Sequence, residues 1–436
     1  MKSVLKAFSL FVPLILTACA GIRVPMTPQQ EADMLYAKAS ELHEAESYDE
    51  AGIQFEEFVR KYPESNSADN AKLRIADGYF QQGKYEEAIK VYQEIIDTYP
   101  EGDASDRALL SIGDAYFAQQ KNDKAIEMYE ELLLKYTRLS TRVAVSAQDR
   151  INAVEDMEED MRILREGADA EKDNAQYDIA SIYFTVFGNY ESAREEFQKV
   201  VDKWPRSELA DDALWQVGEC YWNIAARQLP SRAFSKEQLA YIDLIEIYDR
   251  YPQLAGLEMF HLDVHWPAGK RGDSYELAYA QVRRIVNKYP DIKEKKVMDF
   301  LPENYSKAFE AWQDVIYTYS HTDTAAAAPE RLALALVDLG NLYCNMGLKH
   351  FGYILFRESL TIVRTPEGHL GMARYYANIT STSGLPWAYR RAFSHIKEAE
   401  KLTPPNSSMA NEVSWAKEWM HYKMRIEALE EWPDNR

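Results

Sequence analysis

One interval governs this chain. Ala51, Ala88 and Ala125 stand 37 residues apart, each followed four residues later by an aromatic ring (Phe55, Tyr92, Tyr129) and twelve later by Pro63, Pro100 or Thr137. A unit of that length has too little surface to bury its own apolar face, so successive copies must stack on one another. The rule continues in Ala193 with Phe197 and Pro205, Ala240 with Pro252, Ala278 with Pro290, Ala308 with Trp312, and Ala392 with Pro404. The upstream half of each unit places a small residue three before a tyrosine: Ala76/Tyr79, Gly113/Tyr116, Ala180/Tyr183, Gly218/Tyr221 and Gly340/Tyr343. Both halves carry apolar residues at i, i+3, i+4 and i+7, the spacing of an amphipathic helix. Small residues let two such helices approach, and the rings fill the space between them. Gly83 and Gly188 sit where a first helix must end in a left-handed residue, and proline stops the second. The expected fold is all-α, built of helix-turn-helix units.

A small residue followed by Tyr at +3, Ala at +12, an aromatic at +16 and Pro at +24 resembles the tetratricopeptide repeat, which implies a superhelical solenoid. The units depart from that family in three extra residues between repeats, in a Tyr-Pro ending, and in bulky Phe58, Ile95, Leu132 or Val200 where alanine is usual. This variant resembles the repeats of bacterial envelope lipoproteins. Three repeats are expected over 31–137 and further, degenerate ones over 167–404. Between them, 138–166 reads as a connecting helix whose run Glu155 to Asp160 is a solvated face. Residues 226–240 read as an insertion, because Ala240 lies 22 after Gly218 rather than 12. Residues 253–274 read as a loop-bearing degenerate repeat. Met409, Val413, Ala416, Met420 and Met424 give the stripe of a capping helix within 405–436.

The N-terminus carries a separate signal. Lys2 and Lys6 precede an apolar run from Ala7 to Leu16, ten residues where a bilayer span takes about 20. That order reads as a signal peptide over 1–19. Leu16-Thr17-Ala18-Cys19 resembles the lipobox of bacterial lipoproteins, which implies a diacylglycerol on the Cys19 thiol, cleavage before it, and further acylation such as palmitate. Several acyl chains, at about 0.8 kcal/mol per buried CH₂, would hold the chain at a membrane. Ala20, rather than Asp, follows the cysteine, and the resemblance then implies the outer membrane, facing the periplasm. Residues 20–30, with Pro25 and Pro28, read as a short extended tether.

Charge and composition narrow the chemistry. A net charge of −20 repels phosphate backbones, so nucleic acid is not an expected partner. Aromatics at 12% exclude a disordered acidic chain, and three cysteines exclude a disulfide scaffold. Neither a nucleophile elbow, a zinc-protease helix, nor a phosphate-binding glycine loop occurs, so no catalytic residue is assigned and the chain reads as a non-enzyme without a small-molecule substrate. His261 and His265 supply only two ligands, so no metal site is expected. In Arg271-Gly272-Asp273, Asp273 or Ser274 reads as the N-cap of the helix bearing Ala278. Cys220 and Cys344 read as buried, unpaired thiols. The covalent lipid at Cys19 is the only expected non-protein group.

In the repeat family, the first helix of each unit lines a groove, and its ligand-facing positions lie three before, one after and four after the small residue. Here the first set holds Tyr36, Tyr177 and Trp215; the second Asp77, Asp114 and Glu219; the third Phe80, Phe117, Phe184 and Trp222. Two uses stay open: rings packed against the neighbouring repeat, or an aromatic wall that accepts a peptide while its carboxylates exclude acidic partners. The combined resemblance implies a lipid-anchored scaffold for envelope proteins. Over 31–225 it is shared between the BamD type, the lipoprotein of the outer-membrane β-barrel assembly machine, and the CpoB type, the periplasmic repeat protein linked to Tol-Pal envelope constriction and cell division. A carbohydrate-binding uptake lipoprotein on the same repeats is a third reading.

Overall fold

The computed structural model describes residues 27–100, 103–135, 141–227, 234–250, 254, 273–383 and 386–426. The signal peptide, Cys19, the start of the tether, and the segment holding His261, His265 and Arg271 lie outside the described residues. Every regular element among those described is helical. They divide into two compact units, one running to Arg162 with Thr185–Phe187, the other holding Ile163–Phe184 and everything from Gly188 onward.

The first unit opens at Thr27, whose hydroxyl accepts from the Gln30 N–H at 3.2 Å while the Gln30 side chain accepts from the Thr27 N–H at 3.0 Å. That reciprocal box, with Pro28 in the first turn, starts α1 (Pro28–Glu44). Helix α2 (Tyr48–Lys61) turns back on it, and the pattern repeats in α3 (Ala68–Gln81) with α4 (Tyr85–Thr98), and α5 (Asp103–Ala118) with α6 (Asn122–Lys135). Each turn holds one left-handed residue: Gly83 at φ 72°, but Glu46 at 57° and Gln120 at 60°. Each second helix buries its alanine and the ring four residues on: Ala51, Ala88, Ala125, Phe55, Tyr92 and Tyr129 are all at most 1% exposed. Helix α7 (Thr141–Glu166) follows as one continuous element. It buries Ala147, Val154 and Met157 while Glu155, Asp156, Glu158 and Glu159 stay in water.

The second unit contains α8 (Lys172–Thr185, to Phe184) and α9 (Tyr190–Lys203), joined through Gly188 at φ 58°. Then the chain departs from its own arithmetic. Helix α10 (Ala210–Arg227), which carries Gly218, does not pair with the helix bearing Ala240. Its partner is α13 (Glu303–Thr318), which carries Ala308 and Trp312. The segment between them, with α11 (Lys236–Arg250), α12 (Asp273–Lys288) and two short 3-10 turns at Pro290–Lys293 and Val297–Phe300, is inserted inside a single repeat. The insertion expected at 226–240 therefore extends to the start of α13, and Ala308 with Trp312 belongs to the Gly218 unit rather than to one of its own. Sequence spacing counts every residue between two helices, whereas packing depends only on which surfaces meet.

Beyond α13 come α14 (Asp323–Asn345) with α15 (Lys349–Ile362), α16 (Pro366–Ser383) with α17 (Pro386–Leu402), and α18 (Ser408–Ile426). Helix α15 is buried almost all round, Phe351 to Phe356 without a break. The insertion contributes to this cover: Phe234 meets Phe351 at 5.1 Å between ring centroids, and Glu246 on α11 bonds His350 and accepts from the Tyr375 hydroxyl at 3.1 Å. Helix α18 buries Val413 and Met420 and ties Lys417 to Glu400 on α17 at 2.9 Å.

Candidate functional site

The face of each first helix is organised around its small residue. A Cβ on Gly113 would lie 2.3 Å from the Tyr129 ring, and one on Gly340 2.5 Å from Phe356. Ala39, Ala76 and Ala180 are fully buried at the same position. Such closeness fixes how the remaining residues of the helix are presented.

In the first unit, Tyr36 sits edge-on to Phe55 and Phe58 at 5.5 and 5.4 Å. Phe80 meets Tyr85 at 5.4 Å, just as His43 meets Tyr48 at 5.2 Å one repeat earlier. Phe117 stacks on Phe187 at 4.0 Å and is only 8% exposed, which removes it from an open wall. Asp77 accepts from the buried Tyr92 hydroxyl at 2.7 Å. Burial pushes the Asp77 carboxyl above the usual range, opposed by that hydroxyl and by Arg107 and Arg74. Asp114 accepts from Tyr129 at 2.8 Å and from Arg150 Nε and Nη2 at 2.6 and 3.1 Å.

The second unit repeats the scheme with larger rings. Tyr177 meets Phe197 and Phe184 meets Tyr190, both at 5.1 Å. Trp215 lies 6.4 Å from Trp312, and Trp222 lies 5.1 Å from Tyr305 and 6.4 Å from Phe309. Glu219 holds Arg331 through two bonds of 2.6 and 3.0 Å, and the guanidinium covers Trp222 at 5.1 Å and Trp312 at 4.4 Å. Three of the tyrosines three after the small residue are capped by cations, Lys84 over Tyr79, Lys121 and Lys124 over Tyr116, Arg194 and Lys307 over Tyr221. Tyr343 is instead buried, with Phe351 at 4.8 Å and Phe234 at 6.2 Å.

The wall aromatics other than Phe117 are thus half-buried, each seated on a ring of its own hairpin with part of its surface still reaching solvent. The acids are already engaged within the chain: Asp114 and Glu219 by arginines and Asp77 by a tyrosine, which weakens their use to exclude acidic partners. Arg150, Arg331, Phe187 and Phe234 complete this arrangement and carry no spacing signal, since Arg331 lies 112 residues from Glu219. Of the thiols, Cys220 is buried and pushed up to about 12 chiefly by desolvation, whereas Cys344 is partly exposed; both are free. Among the described residues no group of three or more His, Cys, Asp or Glu is placed to hold a metal, and no helix is long and apolar enough to cross a membrane.

Comparison with known proteins agrees with the repeat. Residues 67–133 and 174–207 match family models described as tetratricopeptide repeat. No curated protein matches the chain. Similar solved structures include the TPR domain of P58(IPK) (13% identity, 91% of this chain and 99% of that one, TM-score 0.25). A tetratricopeptide repeat protein from Parabacteroides merdae (12%, 89% and 99%, TM-score 0.22) and yeast Tom70 (11%, 92% and 91%, TM-score 0.24) are also similar. The helix pairs that carry Ala76 with Ala88 and Gly113 with Ala125, and the segment around Ala180 and Ala193, are tetratricopeptide repeats.

Proposed function

We propose that the chain is a lipid-anchored scaffold that holds protein partners in the cell envelope, at the periplasmic side of an outer membrane. The observation that carries the reading is two sets of half-buried rings, Tyr36, Tyr177 and Trp215 three before the small residue and Phe80, Phe184 and Trp222 four after it, each resting on a ring of its own hairpin. Pre-braced aromatics bind with little loss of side-chain entropy and are frequent interface anchors. The anchor rests on Leu16 to Cys19, and the envelope assignment on the resemblance of the repeats to those of envelope lipoproteins. Barrel assembly is favoured over the Tol-Pal reading because the first repeat follows about a dozen residues after Cys19.

The test places a photo-crosslinking amino acid at Phe80 or Trp222 in cells of a two-membrane bacterium, in the parent and in Cys19→Ser. The parent is expected in the outer-membrane fraction, crosslinked to envelope proteins, and the variant to be soluble or uncleaved. Unchanged outer-membrane fractionation of Cys19→Ser would remove the anchor, and an absence of crosslinks at both positions would remove the scaffold.

A further inference from the structure

Helix α18 carries two apolar stripes. Met409, Val413, Ala416 and Met420 form the one laid against α17 and α16, with Val413 3% and Met420 1% exposed. Trp415, Trp419, Tyr422 and Ile426 form the second, at successive spacings of four, three and four. At about 3.6 residues per turn it is centred on the opposite side of the helix. Trp415 is 61% and Tyr422 60% exposed, and the Trp415 and Trp419 indoles lie 17° from parallel. A cavity of about 230 Å³ is lined by both indoles, Leu370 and Ile396, so the chain's own contact with these rings is incomplete.

An exposed aromatic ridge of this kind marks a contact surface. Its spacing, about 3.5 residues on average, is the one with which two helices wind together. The residues beside the ridge identify the second helix as a copy of the first. Glu418 precedes Trp419 on one edge, and Lys423 follows Tyr422 on the other, five residues on. In two parallel helices those positions face each other across the seam, so Glu418 of each copy meets Lys423 of the other. The sequence repeats the relation in Arg425 and Glu430, and Leu429 continues the stripe. One helix thus complements itself twice over. Trp415 and Tyr422 from each copy supply roughly half of the ~1,200 Å² at which stable interfaces begin, which suits a concentration-dependent dimer.

We propose that α18 is a dimerisation helix: two copies of the chain associate in parallel through Trp415, Trp419 and Tyr422, with Glu418 and Lys423 paired across the seam. The proposal goes beyond partner binding at the repeat wall and is independent of the lipid anchor and of the compartment.

Sedimentation equilibrium of the full chain in density-matched detergent should show a reversible monomer–dimer equilibrium. Trp415→Ala and Tyr422→Ala should each weaken the dimer roughly tenfold or more. Both rings are mostly exposed, so melting of the dilute, monomeric chain should not change. Tyr317→Ala, 79% exposed on α13, should alter neither measurement. Glu418→Lys and Lys423→Glu should each weaken the dimer roughly threefold, and the two together should restore it. Residues five apart do not face each other on one helix, so that rescue reports a contact between copies. A parent that stays monomeric to high micromolar concentration overturns the proposal. So does parental affinity in both ring variants, or a double exchange that fails to restore the dimer. A monomeric chain that binds phosphatidylglycerol vesicles through Trp415 overturns it too, and makes the ridge a lipid surface. Dimerisation alongside failed envelope crosslinks would refute the envelope reading and keep the dimer.

Discussion

The indole N–H of Trp312 donates to the main-chain carbonyl of Trp215 at 3.3 Å, across 97 residues of sequence. That bond closes a repeat around an insertion. Trp312 is fully buried and fills the position that Tyr129 occupies beside Gly113. A two-helix unit therefore tolerates a long excursion between its halves, since a looped connection adds closure entropy only slowly with length.

Gly218→Ala tests this closure. A Cβ there would stand 2.4 Å from Trp312 Nε1, and the buried indole has nowhere to go. The expected loss is about 1 to 3 kcal/mol by overpacking, read from urea unfolding. Gly52→Ala is the contrast: its Cβ meets nothing within 4 Å on α2, so it should gain about 0.5 to 1 kcal/mol. Equal effects of the two would mean that Gly218 is not at a helix contact.

The turns offer a second check. Gln120, exposed at φ 60°, adopts the conformation that Gly83 adopts at 72°. Left-handed backbone costs a side-chain-bearing residue about 1 kcal/mol. Gln120→Gly should raise the melting temperature and Gly83→Ala should lower it.

Acid should loosen the α16/α17 hairpin. His369 and His395 share a 2.9 Å bond between their Nδ1 atoms, with the Tyr376 ring stacked on His395. His395 is held at about 4, first by burial and then by His369, Arg391 and Arg364, with Glu398 opposing. The unfolded chain takes up that proton near 6.5, so it binds more protons than the folded one in between. Stability from this group is complete above about pH 6.5 and falls toward pH 4, by about 3 kcal/mol in all. His395→Asn should flatten that part of the urea-midpoint profile, and a profile parallel to the parent's would contradict it.

Arg331→Lys probes the bracket over the tryptophans. Lysine keeps the charge but loses the two-pronged bond to Glu219 and the flat contact with Trp222 and Trp312. A loss of roughly 1 to 2 kcal/mol is expected, with a change in tryptophan fluorescence that a lost surface charge would not cause. Identical emission and unfolding would show the bracket to be idle.

The helix pairs around Ala51, Ala88 and Ala125 were legible because small residue, alanine and ring occur at fixed offsets, and each offset is one helical face read twice. The aromatic positions recur at fixed offsets in the sequence, but what they touch does not: Phe187 against Phe117 and Arg331 over Trp222 come from segments with no fixed register to the repeat. The run from Phe351 to Phe356 was in plain view and signals a helix covered on all sides, yet nothing in it names the cover.

The sequence alone determined that the chain folds into paired helices and, around Ala51, Ala88 and Ala125, which residues touch inside a pair, because those contacts are local and periodic. Tertiary structure decided that Gly218 pairs with Trp312 rather than with the Ala240 helix, that Asp114 and Glu219 are bound to arginines, and that three terminal helices leave a cavity between Trp415 and Leu370. Those depend on which surfaces meet after the chain has turned back on itself, and the free energy of that meeting is set by shape and burial, which no spacing along the chain records.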